Sequence, residues 1–190
     1  ALRRALAQDL CTELTDRNFR DVGGAARGDD IWIVLAAPFT PPSEPSAALA
    51  ATVLAQINAA RAVARRCGTR LFPAAPPLRL NALLTRAAAA HARDMLEHDY
   101  FSHTGSDGST PGHRIMRAGY RYHLAGENIA FGQQDATQAV QAWLESPGHC
   151  ANIMDRGFRD MGVAYISNTR GAPRIYWVQD FGAPRAPAAR

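Results

Sequence analysis

The sequence predicts an α+β domain in which helices flank a small antiparallel sheet. Three observations carry this. Apolar residues recur at helical spacing over 80–98 and again over 135–145. The last third switches to a period of two, with Ile175, Trp177, Gln179 and Phe181 on one face of a strand spanning Arg174–Phe181. Pro, Gly and Ser clusters punctuate the chain between these segments.

The elements follow in order. Residues 1–37 read as a helix and two strands, and residues 38–50, PFTPPSEPSAALA, as a linker. The main domain spans 51–182, and 183–190 form a loose tail. It opens with a helix carrying Leu54, Ile57 and Ala60 on one stripe and running to about Arg66, before Cys67-Gly68. Pro73, Pro76 and Pro77 then force extended chain. The helix over 80–98 sets Leu83, Leu84, Ala87, Ala88, His91 and Met95 on one side. A short helix follows Pro111, at about 112–118, and the helix over 135–145 turns Ala139, Val140 and Trp143 inward. Ser146 suits an N-cap and Pro147 a first helical position, so another short helix begins there and carries His149. Met161–Ile166 and Arg174–Phe181 are the closing strands.

An internal repeat is visible. Cys11–Gly23 aligns without a gap to Cys150–Gly162, with seven identities in thirteen positions. Ile31–Val34 then matches Tyr176–Gln179 across a shorter loop. Residues 1–37 therefore read as the back end of a degenerate second copy, in which Leu10 stands where His149 stands.

Composition narrows the function. Hydrophobic residues make up 47% and charged residues 20%, as in a globular protein. No apolar run approaches the ~20 residues that span a bilayer, so the chain reads as not membrane-spanning. All 21 basic residues are Arg, and they are interleaved with acids. A nucleic-acid binder concentrates them in a patch, so no nucleic-acid partner is expected. None of the three cysteines, Cys11, Cys67 and Cys150, sits in a CxxC pair, which argues against a cysteine zinc site. They leave open either one disulfide or buried free thiols.

Three polar islands interrupt the core segments: Tyr100–Gly108, Gly126–Gly132 and Ser146–Met154. They place His103, Glu127 and His149 beside glycines or at a helix start. Two neutral imidazoles can hold a divalent ion such as Zn²⁺, and Glu127 can orient a histidine or a bound water. Each histidine alone reads more readily as a hydrogen-bonded structural residue. No GxSxG elbow surrounds Ser102 or Ser109, which sets a serine hydrolase aside.

The motifs HARDM, FSHTG, GENIAFG, WLESPGHCANIM, FRDMGVAY and YWVQDFG in this order resemble the CAP superfamily. That superfamily comprises cysteine-rich secretory proteins, antigen 5 and plant pathogenesis-related proteins, and the likeness is to its bacterial secreted branch. The resemblance implies an α-β-α sandwich (the SCP-like domain), an extracellular or periplasmic location, and a cleft with two His and two acids. It implies His103 and His149 as metal ligands, Glu127 as the first acid, and a Cys67–Cys150 disulfide. The fourth position departs from the pattern: Ser146 stands there, with Glu145 one residue earlier and about 100° round a helix. The cleft set is thus Glu127, Glu145, Ser146, His91 and Asn128, with Asp94 as a partner for His91.

The expected function is a secreted binding module whose cleft holds a divalent cation and a small lipid-like or cell-wall ligand. No catalytic residue is assigned. The alternative is a metal-dependent peptidase, with Zn²⁺ on His103 and His149 and Glu127 as general base, for which the visible ligand set is one short of the usual three. A purely structural domain is the third reading.

Overall fold

The computed structural model describes residues 16, 19–37, 46–168 and 174–185. The helix expected before residue 16, Cys11 and the tail from 186 lie outside the described residues. The chain divides into two compact units, 1–40 and 41–190. In the first, β1 (Asp21–Arg27) and β2 (Asp30–Ala36) form an antiparallel hairpin closed at Gly28, whose φ of 61° suits the turn.

The second unit carries α1 (Ser46–Arg61), β3 (Arg65–Cys67), β4 (Arg70–Phe72), β5 (Arg79–Leu80) and α2 (Ala82–His98). It continues through α3 (Pro111–Arg117), β6 (Tyr122–Phe131), α4 (Ala136–Glu145), α5 (Pro147–Met154), β7 (Asp160–Asn168) and β8 (Arg174–Pro184). The main sheet has the order β5-β7-β8-β6. It is mixed rather than purely antiparallel, because β5 joins β7 in parallel through Arg79 and Leu80.

Successive residues of a strand face opposite layers. Tyr176 and Val178 of β8 join Ile129 of β6 against Ala88, Ala92 and Met95 of α2. α3 extends this layer, with Ile115 against Leu84 and Ala87. The other face is met by α1, α4 and α5, so the sheet lies between two helical layers. Gly162 makes the α2 contact possible. A Cβ there would stand 2.0 Å from the backbone nitrogen of Thr85.

Details differ from the sequence reading in several places. α1 starts inside the expected linker, at Ser46, and stops at Arg61 rather than Arg66. The residues beyond it form the β3–β4 hairpin, with Cys67 paired to Arg70. Arg61 is fully buried and donates to the carbonyls of Pro76 (2.8 Å), Ile153 (2.5 Å) and Asp155 (2.9 Å). Burial draws its pKa down to about 10. The island at 126–132 is the end of a strand, and Ser146 holds the N-cap position of α5 without a side-chain cap.

Cys67 and Cys150 form a disulfide across 83 residues, tying β3 to α5 one residue beyond His149. Among the described residues, no helix is long and apolar enough to cross a membrane.

Candidate functional site

The site is built around Glu127 on β6, the outer strand of the sheet. Its carboxyl group is 1% exposed. Nδ1 of His103 lies 2.7 Å from Oε1, and Arg114 donates to Oε2 at 2.7 Å. Arg114 is itself buried on α3, and its guanidinium also donates to the carbonyls of Ser109 (2.7 Å) and His103 (2.9 Å). One arginine thus fixes the carboxylate and the backbone of the loop that bears His103. Such charge-assisted bonds are among the stronger ones in a protein.

The His103 loop is held at its other end by Asp94. That carboxylate accepts from the Tyr100 hydroxyl and from the Ser106 backbone (2.9 Å) and hydroxyl (2.5 Å). Burial pushes the Asp94 pKa up, but the bonds from Ser106 and Tyr100 outweigh it and hold it at about 2. The expected His91–Asp94 pair is not what the structure brings together. His91 is fully buried and its Nε2 meets the carbonyl of Ser102 at 2.8 Å, 3.9 Å from Glu127 Oε1. Burial, above all, lowers the His91 pKa, so a neutral ring with hydrogen on Nε2 fits beneath the site.

His149 stands on α5, in the other helical layer. Burial and then the charge of His103 lower its pKa. Asn128 is fully buried, bonding Gln179 (3.1 Å), the His149 carbonyl (3.3 Å) and Asn152 (3.0 Å). Asn152 also donates to the Glu127 carbonyl at 3.2 Å. Asn128 therefore ties α5 to β6 rather than presenting itself to a ligand.

Glu145 and Ser146 stand apart from this cluster. Glu145 is exposed and accepts from Gln141 one turn back, at 2.8 Å. It lines a groove of about 490 Å³ between α1 and α4, together with Gln56, Arg65 and Val140. The offset of one residue along α4 turns it away from Glu127. Ser146 serves the backbone, accepting from the Cys150 amide at 2.8 Å.

Two residues that sequence reasoning passed over complete the site: Arg114 and Asp180. Asp180 lies directly across the ladder from Glu127, 1% exposed, on the same face. Burial, and then repulsion from Glu127, raise its pKa well above the usual carboxylate range, against the pull of Arg114. A raised Asp180 pKa suits a buried site with a single fixed cation. An Asp inside the apolar run of YWVQDFG was the available signal, since strands are poor in Asp.

Chemically, the arrangement offers two imidazoles. His103 is half exposed, and with Nδ1 turned to Glu127 its Nε2 is free for a ligand. Both oxygens of Glu127 are engaged, so it orients His103 rather than adding a third ligand. Among the described residues, no three His, Cys, Asp or Glu side chains stand together as a metal cage.

Comparison with known proteins follows the same lines. The uncharacterized protein YkwD of Bacillus subtilis (strain 168) is 34% identical over 105 residues, which are 55% of this chain and 39% of that protein. An extracellular protein with an SCP domain from Bacillus anthracis str. Ames superposes with a TM-score of 0.62 at 26% identity, covering 80% of this chain and 46% of that one. An outer surface protein from Borrelia burgdorferi gives a TM-score of 0.54 at 25% identity, covering 58% of this chain and 80% of that one. The chain thus spans less than half the length of both Bacillus proteins. The model of the CAP family, the cysteine-rich secretory protein family, matches residues 54–181, and the chain belongs to that family.

Proposed function

We propose that this chain is an extracytoplasmic binding module whose His103 and His149 take a divalent cation, Zn²⁺ first among candidates. The ion's remaining positions and the surrounding surface then receive a small lipid-like or cell-wall ligand. The observation that carries this is the His103–Glu127 bond. It favours the His103 tautomer with hydrogen on Nδ1 and leaves Nε2 on the exposed side, beside a neutral His149. A histidine oriented by a carboxylate is the usual support of a protein metal ligand.

Two imidazoles without a third protein ligand support exchangeable binding rather than a closed structural site. The engagement of Glu127 also weighs against a peptidase. A general base needs an oxygen within reach of the water it deprotonates, and both oxygens here already accept from His103 and Arg114. Export is supported by the Cys67–Cys150 disulfide and by the extracellular and outer-surface neighbours.

The test is Zn²⁺ titration by calorimetry at neutral pH on the wild type and a His103→Ala/His149→Ala variant. Binding that disappears in the variant is expected. A wild type that takes up no Zn²⁺, or a variant that binds as well, overturns the metal reading.

A further inference from the structure

The hairpin β1–β2 is a sheet fragment exposed where its counterpart is covered. β2 reads Ile31-Trp32-Ile33-Val34-Leu35, apolar on both faces, as in a strand buried between two layers. Yet Ile31 and Trp32 are each 50% exposed and Val34 63%.

The repeat says what such a face expects. In β1–β2 the backbone nitrogen of Arg20 donates to Ala36 at 2.9 Å, and in β7–β8 that of Arg159 donates to Gly182 at 3.0 Å. Gly23 pairs with Val34 as Gly162 pairs with Asp180, and Val22 pairs with Leu35 as Met161 pairs with Phe181. This register moves β2 one residue from the sequence match of Ile31–Val34 with Tyr176–Gln179. It puts Gly23, Ala25, Trp32 and Val34 on the face equivalent to Gly162, Ala164, Val178 and Asp180. In the main sheet that face is the one α2 covers. Gly162 is the point of closest approach, with Thr85 and Leu84 backbone where a Cβ would be. At Gly23 a Cβ would meet nothing within 4 Å.

Charge marks the same partner. Asp160 pairs with Arg79, which closely precedes α2, at 3.4 Å. The backbone bonds alongside, from Arg79 of β5 to Arg159 and from Asn81, just after it, to Met161. Asp21 holds the Asp160 place in the hairpin, two residues before Gly23 as Asp160 is before Gly162.

We infer that the face of β1–β2 bearing Asp21, Gly23, Ala25, Trp32 and Val34 is a docking surface for a partner segment built like Arg79–Asp99. That segment has an arginine on a short extended stretch, followed by a helix with a stripe of Leu and Ala. A second copy of this chain is not the occupant. Its own α2 is closed off, with Leu84, Ala88 and Ala92 fully buried.

The probe is a synthetic peptide spanning Leu78–Asp99, its helix preformed by a lactam bridge between positions 86 and 90, both exposed in α2. Trp143 and Trp177 are fully buried, so Trp32 reports on the hairpin by fluorescence. Saturable burial of Trp32 is expected. Gly23→Val should weaken binding at least about tenfold by filling the closest approach, while favouring the strand itself. Asp21→Asn should weaken it about two- to fivefold and flatten its salt dependence. The inference is overturned by an unchanged Trp32 signal at about millimolar peptide, where an affinity worth recognising would show. Equal binding by Gly23→Val overturns it too, as does a peptide-free chain that buries Trp32 by self-association.

Discussion

Breaking the Cys67–Cys150 bond is the perturbation whose size follows most directly from the structure. The bond closes a loop of 83 residues, reaching from β3 to α5. In the chain-entropy account, a cross-link of that span removes about 4.5 kcal/mol of freedom from the unfolded chain. Both half-cystines are buried, so the native state gives little back by relaxing. Against a domain stability of roughly 5–15 kcal/mol, this is a large share. The assay is urea unfolding of the oxidised and reduced chain, each carrying Cys11→Ser so that no third thiol intervenes. Reduction should lower stability by about 3–5 kcal/mol and the melting temperature by about 10–15 °C. Hydrogen exchange should quicken most along α5, because Cys150 follows His149 directly and Arg61 then becomes its main remaining tie to α1. A reduced chain that unfolds within about 1 kcal/mol of the oxidised one, below the usual range for native disulfides, would refute this reasoning.

Three further outcomes follow from the site. Asp180→Asn should change the pH dependence of stability. A folded pKa raised above the unfolded ~4 stabilises at low pH, and that stability is lost as pH climbs through the window above ~4, at about 1.4 kcal/mol per unit. The lowered pKa values of His91 and His149 act in the opposite sense, with stability lost as pH falls below ~6.5. The difference in urea midpoint between the wild type and the Asp180→Asn variant from pH 4 to 8 therefore isolates Asp180, and parallel curves would contradict its raised pKa. Arg114→Met should destabilise by about 3–5 kcal/mol at neutral pH, since it strands Glu127 without its buried cation; an unfolding midpoint near the wild type's would say that the carboxyl pair is neutralised in another way. Glu145→Gln should leave Zn²⁺ affinity within about twofold, because an exposed charge turned from the site contributes little through water; a tenfold loss by calorimetry would put Glu145 in the cleft.

Much of the fold was legible because its signals are local. The stripe of Leu84, Ala88, His91 and Met95 specifies α2 by spacing alone, and Pro147 marks the start of α5. The misread places are those where tertiary contacts decide. Ala62–Arg66 contains good helix formers, yet α1 ends at Arg61, whose guanidinium is drawn to Pro76, Ile153 and Asp155 while Cys67 is held by Cys150. The segment from Gly126 reads as a polar island because glycine and two polar residues break its apolar run. As a strand it works because the ring of Phe158 fills the space beside Gly126, where a Cβ would come within 2.8 Å. Glu127 and Asn128 then face opposite layers, each with partners waiting. His103, Glu127 and His149 stood out as polar residues among glycines. Arg114 and Asp180 did not, because an isolated Arg or Asp reads as surface until its neighbours are known.

The pairing of β1–β2 can be set beside that of β7–β8, although Val34 is exposed where Asp180 is buried. At the register place of Asp180 the hairpin carries Val34, and β1–β2 keeps the same pairing and the same Arg20-to-Ala36 bond without any carboxyl pair. The strand geometry therefore does not require an acid at that position. Replacing a buried ionic group with a well-packed apolar one is often neutral or stabilising. On that general ground, Asp180, Glu127 and Arg114 are poorly explained as contributors to stability. They are better explained by what they hold in place, which is the ring of His103 at the surface with one nitrogen spoken for and the other free.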